Sequence, residues 1–184
     1  VNHQAVAEHA FALLLSYEKN IIPGNEIVQQ NKWKRLIGRE LYGKSVGILG
    51  LGNVGKEVAK RASAFGMKIF ACDIKTDEYF NSKYEVNFCI SLSAFSKEID
   101  YLFLTLPLNS QTKNIIDENE FNSFKNDIVI INTARAGLIN EKSLVDKLEH
   151  KELRAYLTDV LMDEPIINEH PLLKYSNVII TPHV

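Results

Sequence analysis

The segment KSVGILGLGNVGKEVAKRASAFGMKIFACD, positions 44–73, constrains the fold of this chain more than any other. Apolar residues running to Leu49 read as a buried strand, and Gly50, Gly52 and Gly55 set out a G-x-G-x-x-G turn. An alanine-rich helical pattern follows, and a second apolar run ends at Asp73. Each glycine suits a turn that cradles phosphate. Gly50 permits the tight reversal, Gly52 lets backbone N–H groups approach a pyrophosphate with no side chain between, and Gly55 lets the helix pack close against the strand. Asn53 and Val54 fall in the first turn of that helix, where unpaired N–H groups and the macrodipole favour an anion. Asp73 follows Gly55 by eighteen positions, which brings a carboxylate near the hydroxyls of a bound ribose. A carboxylate accepts hydrogen bonds from a ribose diol and repels a 2′-phosphate, so the expected cofactor is NAD rather than NADP, with Lys75 partly offsetting the repulsion. The plain alternatives are a glycine turn that is only structural punctuation and an aspartate that only closes its strand.

A chain of 184 residues with 46% hydrophobic content can bury one substantial core, and a single domain is expected. The formal net charge of −2, from 21 basic and 23 acidic residues with no long basic run, offers no footing for nucleic acid or an anionic membrane surface. Cys72 and Cys89 form no CxxC pair and have no spaced histidines beside them, which fits a reducing cytoplasm better than a zinc site. Both stand in apolar runs and are expected to be small buried core residues rather than reactive thiols. His3 and His9 fall on a helical pattern without a HExxH arrangement, so no metal site is expected. No apolar segment approaches a transmembrane span, and a soluble, unsecreted protein is expected.

From His3 to about Lys19, apolar residues at Val6, Ala10, Leu13, Leu14 and Tyr17 recur at helical spacing, with Pro23 and Gly24 beyond them as a stop. A polar connector then carries Trp33, expected to be a packing anchor. Beyond Asp73, strand-like runs at 86–90, 101–106, 127–132, 154–160 and 177–181 alternate with helical or loop patterns at 93–99, 117–124 and 140–149. Nearly unbroken apolar strands alternating with helices predict an α/β fold: a doubly wound parallel sheet of Rossmann type in three layers, α/β/α. Residues 1–43 form the leading helix and connector, and 44–184 the dinucleotide-binding core. Ligands gather beyond the carboxyl ends of such strands. There Arg135 follows IVIINTA, Glu164 follows TDVLMD, and His183 follows NVIITP.

Taken in order, GLGNVG, INTARAGLIN, DVLMDEP and HPLLKYSNVIITPHV resemble the nucleotide-binding domain of the D-isomer-specific 2-hydroxyacid dehydrogenases, a family that includes phosphoglycerate, glycerate and D-lactate dehydrogenases. VAEHAFALLLSYEKN resembles the helix that leads into this domain, so the resemblance covers essentially the whole chain. It implies an NAD-dependent oxidoreductase that transfers hydride between NAD(H) and a 2-hydroxy acid or its 2-keto acid. Arg135 would bind the substrate carboxylate and polarise the keto oxygen, because a guanidinium offers a planar, charged fork of donors. His183 would be the general acid and base, with Glu164 fixing its tautomer and favouring its charged form. By the same resemblance Asp159 would contact the nicotinamide carboxamide, Leu106, Pro107, Thr133 and Ala134 would lie along the cofactor, and Val54 would lie beside the pyrophosphate. Pro182 would hold His183 in a narrow range of positions by fixing its own φ and biasing Thr181 towards extended backbone. A homodimer is expected, with the N-terminal helix contributing to its interface.

Ala136 stands where the family usually has glycine, and Asn140 where an acid is common. Glu164 stands where the formate-oxidising branch has glutamine, which argues against formate. Family members set this domain within a second, substrate-binding domain that has no counterpart in these residues. The chain alone is therefore expected to bind NAD and turn over little or no substrate, since half the cleft and its closure are missing. The alternative function is an NAD(H)-responsive interaction or corepressor-like module of the same family.

Overall fold

Strands that are apolar on both sides must be covered on both faces, and strands separated by helices achieve this by pairing in parallel through crossovers. The computed structural model, which describes residues 2–166 and 169–183, has this arrangement. The chain begins with α1 (His3–Glu18) and α2 (Ile21–Gln29), then enters the sheet with β1 (Ser45–Leu49), α3 (Asn53–Ala64), β2 (Lys68–Cys72), α4 (Glu78–Lys83) and β3 (Val86–Cys89). It continues with β4 (Tyr101–Leu104), α5 (Glu118–Ser123), β5 (Val129–Asn132), α6 (Glu141–Glu149), β6 (Ala155–Thr158) and β7 (Val178–Ile180). Among the described residues these strands form one seven-stranded parallel sheet in the order β3-β2-β1-β4-β5-β6-β7. The chain winds outward from β1 to β3, returns, and winds outward again from β4. This reversal opens a crevice between the carboxyl ends of β1 and β4.

Alternation along the strands feeds two cores. On β4, Tyr101 and Phe103 join the core that holds Val46, Ile48 and Ala71, whereas Leu102 and Leu104 join the one that holds Phe95, Ile99 and Leu144. α1 covers the first through Ala7, Ala10, Phe11, Leu13 and Leu14, and Phe11 stacks on Phe103 with ring centroids 5.2 Å apart. The last turn of α1 buries Glu18, 3% exposed, with its carboxylate 2.8 Å from Arg154 Nη2. Arg154 immediately precedes β6, and a buried carboxylate is tolerated only when paired. The ion pair therefore fixes the end of α1 at the amino edge of the sheet, while the start of α1 reaches the carboxyl edge.

Several local features differ from the sequence expectations. Pro23 and Gly24 do not stop a helix; the break comes earlier, at Asn20 in left-handed conformation (φ 53°), and both residues lie in the first turn of α2. Proline is tolerated there because the first N–H groups of a helix have no intrahelical acceptor. Trp33 is 93% exposed and anchors no packing within this chain. The pattern at 93–99 forms only a 3₁₀ turn, Leu92–Ala94, and α4 was not foreseen; Asp77 starts it by accepting from Phe80 N at 3.0 Å. Cys72 and Cys89 are half-buried at the edge of the second core rather than fully within it. Asn140, in place of the common acid, caps α6 by accepting from Lys142 N and Ser143 N. Among the described residues no helix is long and apolar enough to cross a membrane, and no group of three His, Cys, Asp or Glu side chains could hold a metal ion.

α3 approaches β1 so closely that a Cβ on Gly55 would stand 2.0 Å from the Gly50 carbonyl oxygen. Gly55→Ala is thus expected to cost about 1–3 kcal/mol by overpacking. Thermal unfolding checks this, with a fall in Tm of several degrees expected; an unchanged Tm would show that the contact yields.

Candidate active site

Polar residues at the carboxyl ends of β2, β4, β5 and β6 tie down the segments beside them. Gly50 turns the chain at φ 103°, and its carbonyl accepts from Thr105 Oγ1, just past β4, at 2.5 Å. The Asp73 carboxylate, just past β2, accepts from Leu51 N at 2.6 Å and from Lys75 N at 3.3 Å. Asp73 thus does close its strand and brace the glycine turn. A carboxylate has about four acceptor positions, so these two bonds leave capacity for a further donor.

The glycine turn opens onto a cleft of about 760 Å³. Gly52, Asn53 and Val54 form one wall, Leu106 and Pro107 the next, and Thr133, Ala134, Arg135, Asp159 and His183 the far side. Gly50 and Gly55 lie behind the turn, and Asp73 stands at the end of the neighbouring strand. Glu164 faces an adjoining cleft of about 650 Å³ that shares Asp159 and His183 with the first. The cleft also has a wall that sequence reasoning missed: Asn2 and Val6, at the start of α1.

The Arg135 loop is held from within. Asn132, the last residue of β5, is fully buried; its Oδ1 accepts from Ala134 N at 3.1 Å, and its Nδ2 donates to the Arg135 carbonyl at 3.0 Å and to Tyr156 Oη at 3.2 Å. Burial pushes the Tyr156 hydroxyl up to about 12, so it stays protonated. Thr158, also fully buried, donates from Oγ1 to the Asn132 carbonyl at 2.8 Å. The signal for both was a polar residue closing an otherwise apolar strand, since buried polar groups persist where they are hydrogen-bonded. Arg135 itself is exposed, with Nη1 donating to the Ala134 carbonyl at 2.6 Å.

His183 Nδ1 lies 2.8 Å from Glu164 Oε2, and Glu164 Oε1 accepts from Leu161 N at 2.5 Å. Burial pushes the Glu164 carboxyl up, but the Leu161 N–H, the His183 hydrogen bond and the charges of His183 and Arg135 outweigh it and hold the group below its ordinary value. A carboxylate in that state accepts from Nδ1–H and leaves Nε2 as the exchangeable position.

The sheet order, the glycine turn at its switch point and the polar cleft beyond it define a dinucleotide-binding domain of the doubly wound class. Residues 11–184 match the family described as D-isomer specific 2-hydroxyacid dehydrogenase, NAD binding domain, and the chain belongs to that family. It is 38% identical over 184 residues to hydroxypyruvate reductase of Thermotoga maritima, covering 98% of this chain and 59% of the relative. It is 37% identical over 181 residues to D-3-phosphoglycerate dehydrogenase of Methanocaldococcus jannaschii, covering 97% and 34%. Among solved structures, D-lactate dehydrogenase with NAD+ from Lactobacillus jensenii aligns with a TM-score of 0.84 at 28% identity, over 98% of this chain and 58% of that one. The chain spans 34% to 59% of the length of the two curated relatives.

Because the Glu164 carboxyl is held below its ordinary 4.5, the stability that its contact with His183 contributes is present above that value and lost as pH falls through the depressed one. Carboxyl ¹³C titration should place the Glu164 midpoint below 4.5, and His183→Ala should raise it. A midpoint indifferent to that substitution would remove His183 from the causes.

Proposed function

We propose that this chain is the cofactor half of an NAD-dependent oxidoreductase that transfers hydride between NAD(H) and a D-2-hydroxy acid or its 2-keto acid, on the phosphoglycerate- or glycerate-dehydrogenase pattern. The observation that carries this reading is His183 Nδ1 at 2.8 Å from Glu164 Oε2, at the rim of a cleft that Arg135 also lines. The residues suit the cofactor. A Cβ on Gly52 would meet nothing within 4 Å, so the first turn of α3 is open to a pyrophosphate, with Gly50, Asn53, Val54 and Gly55 completing the cradle. In this reading Asp73 takes the ribose diol, Leu106, Pro107, Thr133 and Ala134 flank the cofactor, and Asp159 holds the carboxamide. Bound there, NAD(H) supplies or takes up the hydride.

The rest of the chemistry belongs to three side chains. Glu164 accepts from Nδ1–H and so leaves His183 Nε2 to give a proton to the keto oxygen during reduction and to remove the hydroxyl proton during oxidation. The exposed Arg135 guanidinium exchanges its bond to the Ala134 carbonyl for the substrate carboxylate, a group that phosphoglycerate, hydroxypyruvate and lactate share. We assign the choice among such acids to a second, substrate-binding domain, without which the chain binds cofactor and turns over little. The half-buried free thiols of Cys72 and Cys89 support a cytoplasmic setting.

Calorimetric titration should give binding of NAD(H) in preference to NADP(H), weakened about tenfold in Asp73→Ala, which is about 1.4 kcal/mol. In the enzyme with its substrate domain, Arg135→Ala and His183→Ala should each lower kcat/KM by about 10²–10⁴. Activity that survives both substitutions would sink the catalytic reading and favour an NAD(H)-responsive interaction module.

We further infer a homodimer. Trp33, 93% exposed, and Ile37, 90% exposed, stand on the connector after α2, whose Ile21, Ile22 and Val28 are also exposed. Large apolar side chains left in water mark an interface, and a second copy of this chain is the occupant we assign. Sedimentation should give a dimer at micromolar concentration and a monomer for Trp33→Glu/Ile37→Glu with NADH affinity retained; a monomeric parent chain would overturn the assignment.

A further inference from the structure

The face of α1 that the core leaves free points at the catalytic end of the sheet. Asn2, at its N-cap, and Val6 line the cleft with Arg135 and His183, and His9 follows on the same face at the next helical step. His9 is half-buried, and its Nε2 lies 2.8 Å from Thr181 Oγ1, although the two are separated by 172 positions. α1 does not need this bond to stay docked, since its apolar face and the Glu18–Arg154 pair already hold it.

Thr181 needs it more. It leaves β7, a strand of three residues whose one strand neighbour among the described residues is β6, and its N–H donates to the Thr158 carbonyl at 3.0 Å. An edge strand is held from one side, so its end is less constrained than that of an inner strand as a place from which to present a reacting group. Between Thr181 and His183 stands Pro182, whose ring fixes one torsion and restricts the residue before it. Little freedom therefore separates the Thr181 hydroxyl from the imidazole.

We propose that His9 is a positioning residue for His183: its hydrogen bond to Thr181 sets the height and direction of the Thr181–Pro182–His183 segment and so the place of Nε2 in the cleft. The proposal rests on the reading of His183 as the proton carrier and adds α1 as the element that aims it. A reacting atom misplaced by about 1 Å can cost about 10²-fold in rate.

The test compares His9→Leu, Thr181→Val and the double variant with the conservative His9→Gln and Thr181→Ser, which keep a hydrogen-bonding group at each end. Imidazole ¹⁵N and ¹H resonances of His183, read in this chain, should move in His9→Leu and Thr181→Val and return in the conservative pair, with NADH affinity unchanged. In the enzyme with its substrate domain, kcat should fall about tenfold in each disruptive variant with KM within about twofold, and the double variant should be no worse than either single one, as expected for one shared interaction. Additive losses, or His183 resonances that ignore both substitutions, would overturn the proposal. The resonances decide it even if His183→Ala proves active, because that result would remove the catalytic role of His183 and leave its positioning by His9 measured.

Discussion

The structure depends on the approach of one piece of backbone to another, α3 against the turn that leaves β1. Gly55 and the Gly50 carbonyl leave no room for a side-chain carbon between them, and the same carbonyl receives the Thr105 hydroxyl from β4. Helix, turn and neighbouring strand thus meet at a single oxygen. With that distance fixed, the free N–H groups at the start of α3 face the crevice at a set height, and Gly52 keeps the space in front of them clear. A larger residue at Gly55 would lift the helix and shift the cradle with it, and one at Gly50 would press on Thr105 and Leu106 beyond β4.

From that point the site extends along the carboxyl edge of the sheet through short polar side chains. Asp73, Thr105, Asn132, Thr158 and Thr181 each follow or close an apolar strand, and each bonds to the backbone or side chain of an adjacent segment. These bonds order the loops that carry Arg135 and His183 from a rigid platform, the arrangement in which loops most often hold chemistry. Asn132 is the clearest case: one buried amide holds the loop just past Thr133 by two hydrogen bonds, at Ala134 and Arg135, and a third ties it to Tyr156 on β6. The exposed guanidinium of Arg135 then projects from a backbone whose carbonyl the Asn132 amide holds.

The strand and helix alternation, the glycine turn and the residues at the strand ends were readable because each is written in local pattern or in the rule that parallel sheets gather ligands at one edge. The contacts that complete the site were not. Nothing in VAEHAFALLL joins His9 to Thr181 at the far end of the chain, and the role of Asn132 depends on a Tyr156 that only sheet pairing brings near. Signals read correctly in isolation also failed in context. Pro23 stops a helix interior but not a first turn, and Trp33 is apolar without being covered by this chain. Asp73 had two readings that sequence treated as rivals. In the fold it braces the glycine turn and still has acceptor capacity left, so the two are compatible.

The strand order carries a consequence for how such a molecule assembles. From β4 onward each strand pairs with the strand before it, and the same holds from β1 to β3, so most of the sheet can grow in the order in which the chain is made. Among the described residues the one pairing that skips ahead is β1 with β4, across the whole of β2 and β3. Loop-closure entropy is concentrated in that step, and it is the step that brings Thr105 to Gly50. The phosphate cradle is therefore completed at the longest closure in the sheet, whereas β7, which leads to His183, needs only its predecessor β6.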